Sequence, residues 1–527
     1  MNRKSRILTV WTLLIALCLL CPPVVARAQT IVQSFDGDSG PGLAACQAGG
    51  THCGRQPEIN VAANGKQVVQ VTWQNVRTYD YTGKLLQSTP LATFIRNAGL
   101  DPMPPSAKGP SKGPFEPHVV YNEFIGRWMI TSTCHSDCLL VSASADALGP
   151  WGGVYPSCLD GGPCLDKNPG IKLGYDKNGV YVCGGHLGDD NPQTISGAGY
   201  DCFAMPSAEV KAIAQGTPPA HINRAHHMPL DVVPAIDNNP DKAATAPAFF
   251  LNKSCDHTKE GNCQKSSNFP FQWVVNTFTW NGPTGTYNAG GAQQTVKTDI
   301  GSTANKWLYN TPCCGTTASI PQAGSSTVTL RAAGSHRVMN VMQVGSHLHG
   351  VLGSGPCTGS SCGSQGTDTN NLMFYVDLDC SKPTACVVSQ TAKISGAGFN
   401  PEFGTVGVDT QGNVGIVAAS STATTNLGVL LWSRKKTDPP NTFSGPVTVV
   451  AGTQPHTCLP DQAMMMMGNT VGILTTRDPA DGTKLWTTQQ WSNDATPCVY
   501  NTRIVEYQIT PAQASGAKQS SAKRQRP

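Results

Sequence analysis

A unit of two apolar strands joined by a tight turn recurs seven times along the chain, and this repetition limits the fold more than any other feature. Each copy opens on a polar or proline-containing start, continues as an alternating apolar strand, turns, and returns as a second apolar strand. The first runs over Gln56–Val61, turns at Asn64-Gly65 and returns over Gln67–Trp73. The second joins Glu116–Tyr121 to Arg127–Thr133, and the third joins Gly170–Tyr175 through Lys177-Asn178-Gly179 to Val180–Cys183. The fourth joins His227–Val233 to Ala248–Asn252, and the fifth joins His336–Val341 to His347–Leu352. The sixth joins Asn400–Val408 through Gln411-Gly412-Asn413 to Val414–Ala418, and the seventh joins Pro460–Met464 through Gly468-Asn469 to Val471–Leu474. Asn-Gly and related pairs between alternating strands are the strongest local hairpin signal.

A lone hairpin cannot cover its own apolar faces, so neighbouring units must cover them. The spacing leaves room for four strands per unit. The prediction is therefore an all-β chain folded as a single seven-bladed β-propeller of four-stranded antiparallel blades. Thr30–Phe35 is expected to pair with Thr502–Ile509, which would close the ring and remove exposed sheet edges. The interval between the fourth and fifth units is nearly double the others. Its excess is a Gly-, Thr-, Ser- and Asn-rich insertion at about residues 281–334. A pair of β-sandwiches is the competing arrangement, with that insertion as its linker.

Lys4 and Arg6, the apolar run Ile7–Leu20 and the small-residue site Ala26-Arg27-Ala28 predict a signal peptide over residues 1–28. Residues 29–512 are expected to form the propeller. Residues 513–527, with Lys518, Lys523, Arg524 and Arg526, are expected to form a disordered basic tail. No later run is long and apolar enough to span a membrane. A net charge of +4 with only 13% charged residues supplies no basic face, so neither nucleic acid nor membrane is an expected partner. The chain is expected to be secreted, extracellular or periplasmic, and monomeric.

Cys18 and Cys21 fall in the signal, and the other cysteines come in couples. These are Cys46/Cys53, Cys134/Cys138, Cys158/Cys164, Cys183/Cys202, Cys255/Cys263, Cys313/Cys314, Cys357/Cys362, Cys380/Cys386 and Cys458/Cys498. In a secreted chain that pattern reads as a disulfide framework of local staples. Cys134-His135-Ser136-Asp137-Cys138 is the nearest approach to a zinc spacing. The adjacent Cys313-Cys314 reads either as one ring disulfide or as two separate staples.

Asn75-Val76-Arg77-Thr78-Tyr79-Asp80-Tyr81-Thr82-Gly83-Lys84 resembles an outer strand of a family of large secreted bacterial β-propellers. Glu116–Trp128 is similar to that family's acidic-Pro-x-Val-Val-Tyr blade ending in Gly-Arg-Trp. Lys172–Val182, Asp478–Thr488 and Asn501–Ile504 match further blades. Where relatives carry Arg-Trp-Gly-Asp-Tyr in the last blade, this chain has Cys458-Leu459-Pro460-Asp461-Gln462, keeping only the acid. Ser144–Trp151 resembles both the sialidase Asp-box and the Ser…Gly-Pro-Trp turn of five-bladed glycosidases. In both, the turn is structural and closes an outer hairpin. The resemblance implies the fold and carries little about function.

In a propeller the starts of the innermost strands crowd the axis. Here they supply Glu58, Glu116 with His118, Lys172, His227 with Asp231, His336, Glu402 and Asp461. One reading is a secreted binding propeller that recognises an extracellular ligand such as a glycan, with His118, Lys172, His227, Asp231 and His336 as ligand-binding residues. The other is a polysaccharide-active glycoside hydrolase or lyase. Two carboxylates at the right separation can hydrolyse glycosides, and Glu58, Glu116, Glu402 and Asp461 are the candidates. A lyase could instead use a His with a Tyr.

No cofactor is assigned. His347 and His349 project from one face of a strand and could share a metal. Asp36–Gly40 and Asp189-Asp190-Asn191 are oxygen-rich turns that could take Ca²⁺, without a full loop signature. Met464–Met467 read as core filler.

Overall fold

The structure is a computed structural model that describes residues 29–40, 57–102, 114–159, 170–186, 199–228, 232–253, 272–288, 294–297, 319–331, 337–354, 371–394, 398–457, 464–466, 472–493, 496 and 499–509. The expected signal and basic tail lie outside them. The described residues are overwhelmingly strand, with only short helices such as α1 (Leu91–Asn97). No helix among them is long and apolar enough to cross a membrane.

After β1 (Thr30–Ser39), the first sheet is β2 (Asn60–Ala63), β3 (Gln67–Val71), β4 (Asn75–Asp80) and β5 (Leu85–Pro90). The second is β6 (Phe115–Asn122), β7 (Arg127–Thr133), β8 (Asp137–Ser142) and β9 (Trp151–Val154). Both are antiparallel meanders in sequence order. The third sheet continues the pattern with β10 (Lys172–Tyr175), β11 (Gly179–His186), β12 (Gly199–Pro206) and β13 (Asn223–Met228). The fourth has β14 (Val233–Pro234), β15 (Ile236–Asp237), β16 (Ala248–Lys253), β17 (Gln272–Asn281), β18 (Thr284–Tyr287) and β19 (Gln294–Lys297).

Beyond the hairpin β20 (Ser319–Gln322) and β21 (Ser325–Arg331), the fifth sheet is β22 (Val341–Val344), β23 (His347–Ser354), β24 (Leu372–Asp379) and β25 (Val387–Ile394). The sixth is β26 (Asn400–Val408), β27 (Val414–Thr422), β28 (Thr425–Arg434) and β29 (Ser444–Gly452). After β30 (Met464–Met466) come β31 (Thr476–Arg477), β32 (Lys484–Trp491) and β33 (Asn501–Gln508), which form the seventh sheet with β1 as its outer strand. The expected pairing of the two far strands is present, running from Thr30 opposite Gln508 to Phe35 opposite Ile504 and beyond.

Alternation along each strand sends side chains to two different neighbours. In β3, Val68 packs with Trp486 and Ile504 of the seventh sheet, while Val69 and Val71 pack with Trp128 and Ile130 of the second. Further apolar clusters join the second sheet to the third, and so on to the sixth and seventh. Each fully buried side chain of this size contributes roughly 1.5–3 kcal/mol through area removed from water.

Two inner strands depart from the expected four-stranded pattern. The fourth splits: Val233–Pro234 pairs antiparallel with β16, while Ile236–Asp237 runs parallel to both β10 and β22. This merges the third and fifth sheets into one nine-stranded sheet. Gly174 permits the approach, since a Cβ there would lie 2.7 Å from the Pro234 and Ala235 carbonyl oxygens. The seventh unit also differs. Met464–Met466 pairs parallel with Thr329–Arg331, inside the expected insertion, and the inner strand of the seventh sheet is the later Thr476–Arg477.

The disulfides Cys134–Cys138, Cys183–Cys202 and Cys380–Cys386 confirm three local staples, and Cys158 is also disulfide-bonded. The first occupies the zinc-like spacing. The couples at 46/53, 255/263, 313/314, 357/362 and 458/498 lie wholly or partly outside the described residues.

Candidate functional site

The innermost strands share a backbone device at their starts. Glu58, Glu116, Gly170, Phe403 and Gly472 all have positive φ, at 48°, 57°, 92°, 53° and 138°. For a residue with a side chain this region is costly, so surrounding contacts must hold it. They do so from sheet to sheet. Glu58 Oε2 accepts the Glu116 N–H at 2.6 Å, and the Glu116 carboxylate accepts the Gly170 N–H. Each acid thus grips the equivalent backbone position of the next sheet.

Glu402 does not repeat this arrangement. The left-handed residue of the sixth sheet is Phe403, one position later, and the Glu402 carboxylate takes the Asn371 amide of the fifth sheet. The sequence pattern placed the three acids as equivalents, and a one-residue register offset separates the third from the other two.

Two residues past four of these five positions stands a buried polar side chain: Asn60, His118, Lys172 and Thr405. Asn60 donates to the Pro117 carbonyl at 2.9 Å and the Gly472 carbonyl at 3.1 Å, and accepts the Leu474 N–H at 2.6 Å. It therefore binds the first sheet to the second and to the segment leading into the seventh. In the fifth sheet Asn340 donates to the Val406 carbonyl at 2.7 Å and accepts its N–H at 2.9 Å. Thr405 meets both Asn340 and Thr475.

Gly472 sits where these links converge. A Cβ on it would lie 2.3 Å from the Met339 carbonyl and 3.2 Å from Lys172 Nζ. Its backbone also favours the charged form of the His118 ring, against burial and the Lys172 charge, which together hold that imidazole neutral with its pKa pushed down to about 3. Asn60, Asn340, Thr405 and Gly472 were not singled out by sequence reasoning. The available signal is a polar residue within an otherwise apolar inner-strand run.

Of the sequence-predicted site residues, Glu58, Glu116, Glu402, His118 and Lys172 are all buried at these strand starts. His227 lies in β13, the outer strand of the third sheet rather than an innermost strand start, and its side chain lies outside the described residues. Asp231, His336 and Asp461 lie outside the described residues.

A second polar cluster occupies the fifth sheet. His347 Nδ1 lies 2.7 Å from Asp377 Oδ1, and His349 Nδ1 lies 2.8 Å from the Tyr375 hydroxyl. The two imidazoles do share one face, with ring centroids 6.2 Å apart. The hydrogen bond that His347 donates to Asp377 raises its pKa, whereas burial lowers that of His349 to about 4. Burial works against the Asp377 charge, and bonds from His347 and Gln390 reverse it, leaving its pKa below the ordinary value. No group of three or more His, Cys, Asp or Glu among the described residues is arranged to hold a metal. The Asp38 carboxylate of the first candidate Ca²⁺ turn is taken by Arg77 at 2.6 Å, Thr72 at 2.6 Å and Asn75 at 3.0 Å. The second turn is outside the described residues.

No protein-family model matches the chain, and no curated protein matches it in sequence. Among solved structures it is similar to the extracellular domains 1–2 of Drosophila semaphorin 1b, at 7% identity over 92% of this chain and 87% of that one, with a TM-score of 0.38. It is also similar to an ulvan lyase of a new polysaccharide lyase family, at 10% identity over 90% and 95%, TM-score 0.40. An α-L-arabinofuranosidase of Fusarium graminearum matches at 11% identity over 75% and 92%, TM-score 0.38. At these scores the likeness decides neither ligand nor reaction.

Proposed function

We propose that this chain is a secreted, seven-bladed β-propeller that binds an extracellular ligand, a glycan, at the mouth of its axis. In this reading the axial acids lock the ring. His118 and Lys172, with Asp231 and His336, are read as its ligand-binding residues. The ring reading is supported by apolar clusters that link each sheet to the next and the last to the first, and by the meeting of four sheets around Gly472. The disulfide staples support an oxidising compartment.

The observation that carries the choice of binding over hydrolysis is the engagement of Glu58 and Glu116 by backbone N–H groups of the following sheet. A carboxylate oxygen committed to the backbone N–H of the next sheet holds that sheet in place, whereas a glycosidase acid must be free to face the reacting bond and deliver a proton. The test is affinity electrophoresis of the secreted protein through a panel of plant and bacterial polysaccharides, with reducing ends and unsaturated products assayed in parallel. The expected result is retardation by one polysaccharide without release of product. Product release that disappears in Glu116→Gln or Glu402→Gln would overturn the reading and install the hydrolase or lyase alternative.

A further inference from the structure

A cleft of about 250 Å³ lies on the outer side of the first and second sheets, between β4, β5, α1 and the Ala147–Trp151 turn. Its walls differ in chemistry. One is aromatic: Phe94 and Trp151 meet edge to face with centroids 5.0 Å apart. The other carries neutral hydrogen-bonding groups, Gln87, Thr89 and Asn97, and Gln87 Nε2 donates to Thr89 Oγ1 at 3.1 Å. No ionisable side chain lines it.

The turn that forms one side is braced before any ligand arrives. Gln67 donates to Asp146 at 2.8 Å and accepts the Ala147 N–H at 2.9 Å. Trp128 Nε1 donates to the Ala145 carbonyl at 2.9 Å, and Trp151 Nε1 donates to the Ala147 carbonyl at 3.0 Å. The aromatic wall is therefore fixed, so ligand binding costs little ordering of the site.

We propose that this cleft binds one neutral sugar ring. A pyranose or furanose presents a C–H face that packs on the face of an aromatic ring, and a rim of hydroxyls that amides and hydroxyls satisfy. A charged ligand would be desolvated here without a counter-charge. The volume is below the range of about 300–1,000 Å³ that suits drug-sized ligands, and it fits a single ring. The site stands apart from the proposed mouth, and Gln87→Ala, which touches only this cleft, separates the two.

The experiment is saturation-transfer NMR on the full chain with neutral methyl glycosides of xylose, arabinose, glucose and galactose, with glucuronate and glucosamine as charged controls. The expected result is transfer to the ring C–H protons of at least one neutral glycoside and to neither control. Gln87→Ala, on an exposed strand face, is expected to weaken that binding about fivefold, the loss of one neutral hydrogen bond. Trp151→Ala is expected to abolish it, with Gln87→Ala deciding if that variant fails to fold. Absence of transfer from every neutral glycoside, equal transfer to a charged control, or binding indifferent to Gln87→Ala would each overturn the assignment.

Discussion

Asn60→Ala removes three inter-sheet hydrogen bonds at a position with no solvent exposure. The substitution leaves the Pro117 and Gly472 carbonyls and the Leu474 N–H without their side-chain partner. A buried group deprived of its partner costs about 1–3 kcal/mol, so the three together approach about 3–9 kcal/mol. Water entering the vacated amide volume recovers part of this, which sets the expectation near the lower end, at about 3–5 kcal/mol. Asn60→Asp tests the same logic differently, since it keeps an acceptor for Leu474 but loses both donors and buries a charge. It should cost at least as much as the alanine. The assay is urea unfolding followed by tryptophan fluorescence, with unfolding rates compared instead should refolding fail. A loss below about 1 kcal/mol in Asn60→Ala would refute the view that this amide ties the sheets together.

Two pH effects follow from burial. His349 has its pKa lowered to about 4, below the ordinary 6.5, so it contributes stability above pH 6.5 that is lost as pH falls toward 4. His349→Gln should flatten the acid side of a stability profile in that window, and an unchanged slope would count against a neutral buried imidazole. Asp137 has the opposite sign: burial raises its pKa from 3.8 to about 6, so its protonated form stabilises the fold at low pH and that contribution is lost as pH rises through 6. Asp137→Asn should therefore gain on the wild type by roughly 3 kcal/mol between acid and neutral pH. The Ser136 and Ser157 hydroxyls that face it make a gain of half that size acceptable, and no gain at all would defeat the argument.

The hairpins were legible because their turns are written locally. Asn64-Gly65, Lys177-Asn178-Gly179 and Gln411-Gly412-Asn413 each fall between the strands they were expected to join. The long-range pairing of β1 with β33 was legible from the need to cover an open edge. Pairing between units was not legible. Alternation shows that Ile236 belongs in a strand, but not that it runs parallel to β10 and β22 rather than staying with its own sheet. Nor does it show that Met464–Met466 leaves the seventh sheet to join β21. Charged residues at strand starts suggest chemistry. The uncharged Asn60, Asn340 and Thr405, which bridge sheets, carry no such signal in a single sequence. The one-residue offset of Glu402 from Glu58 and Glu116 is a matter of φ at Phe403, which composition does not reveal.

The union of β1 with β33 also sets an order on folding. Among the described residues, β1 pairs with β33 alone, and contacts such as Thr502 to the Asp38 carbonyl span 464 positions of chain. During synthesis β1 therefore waits for its partner until some 464 further positions have been made. Until that zipper shuts, the nascent molecule carries two open flanks able to recruit strands from other copies. The polar Gln33 and Asp36, placed along the waiting strand, make it a poor template for such errors.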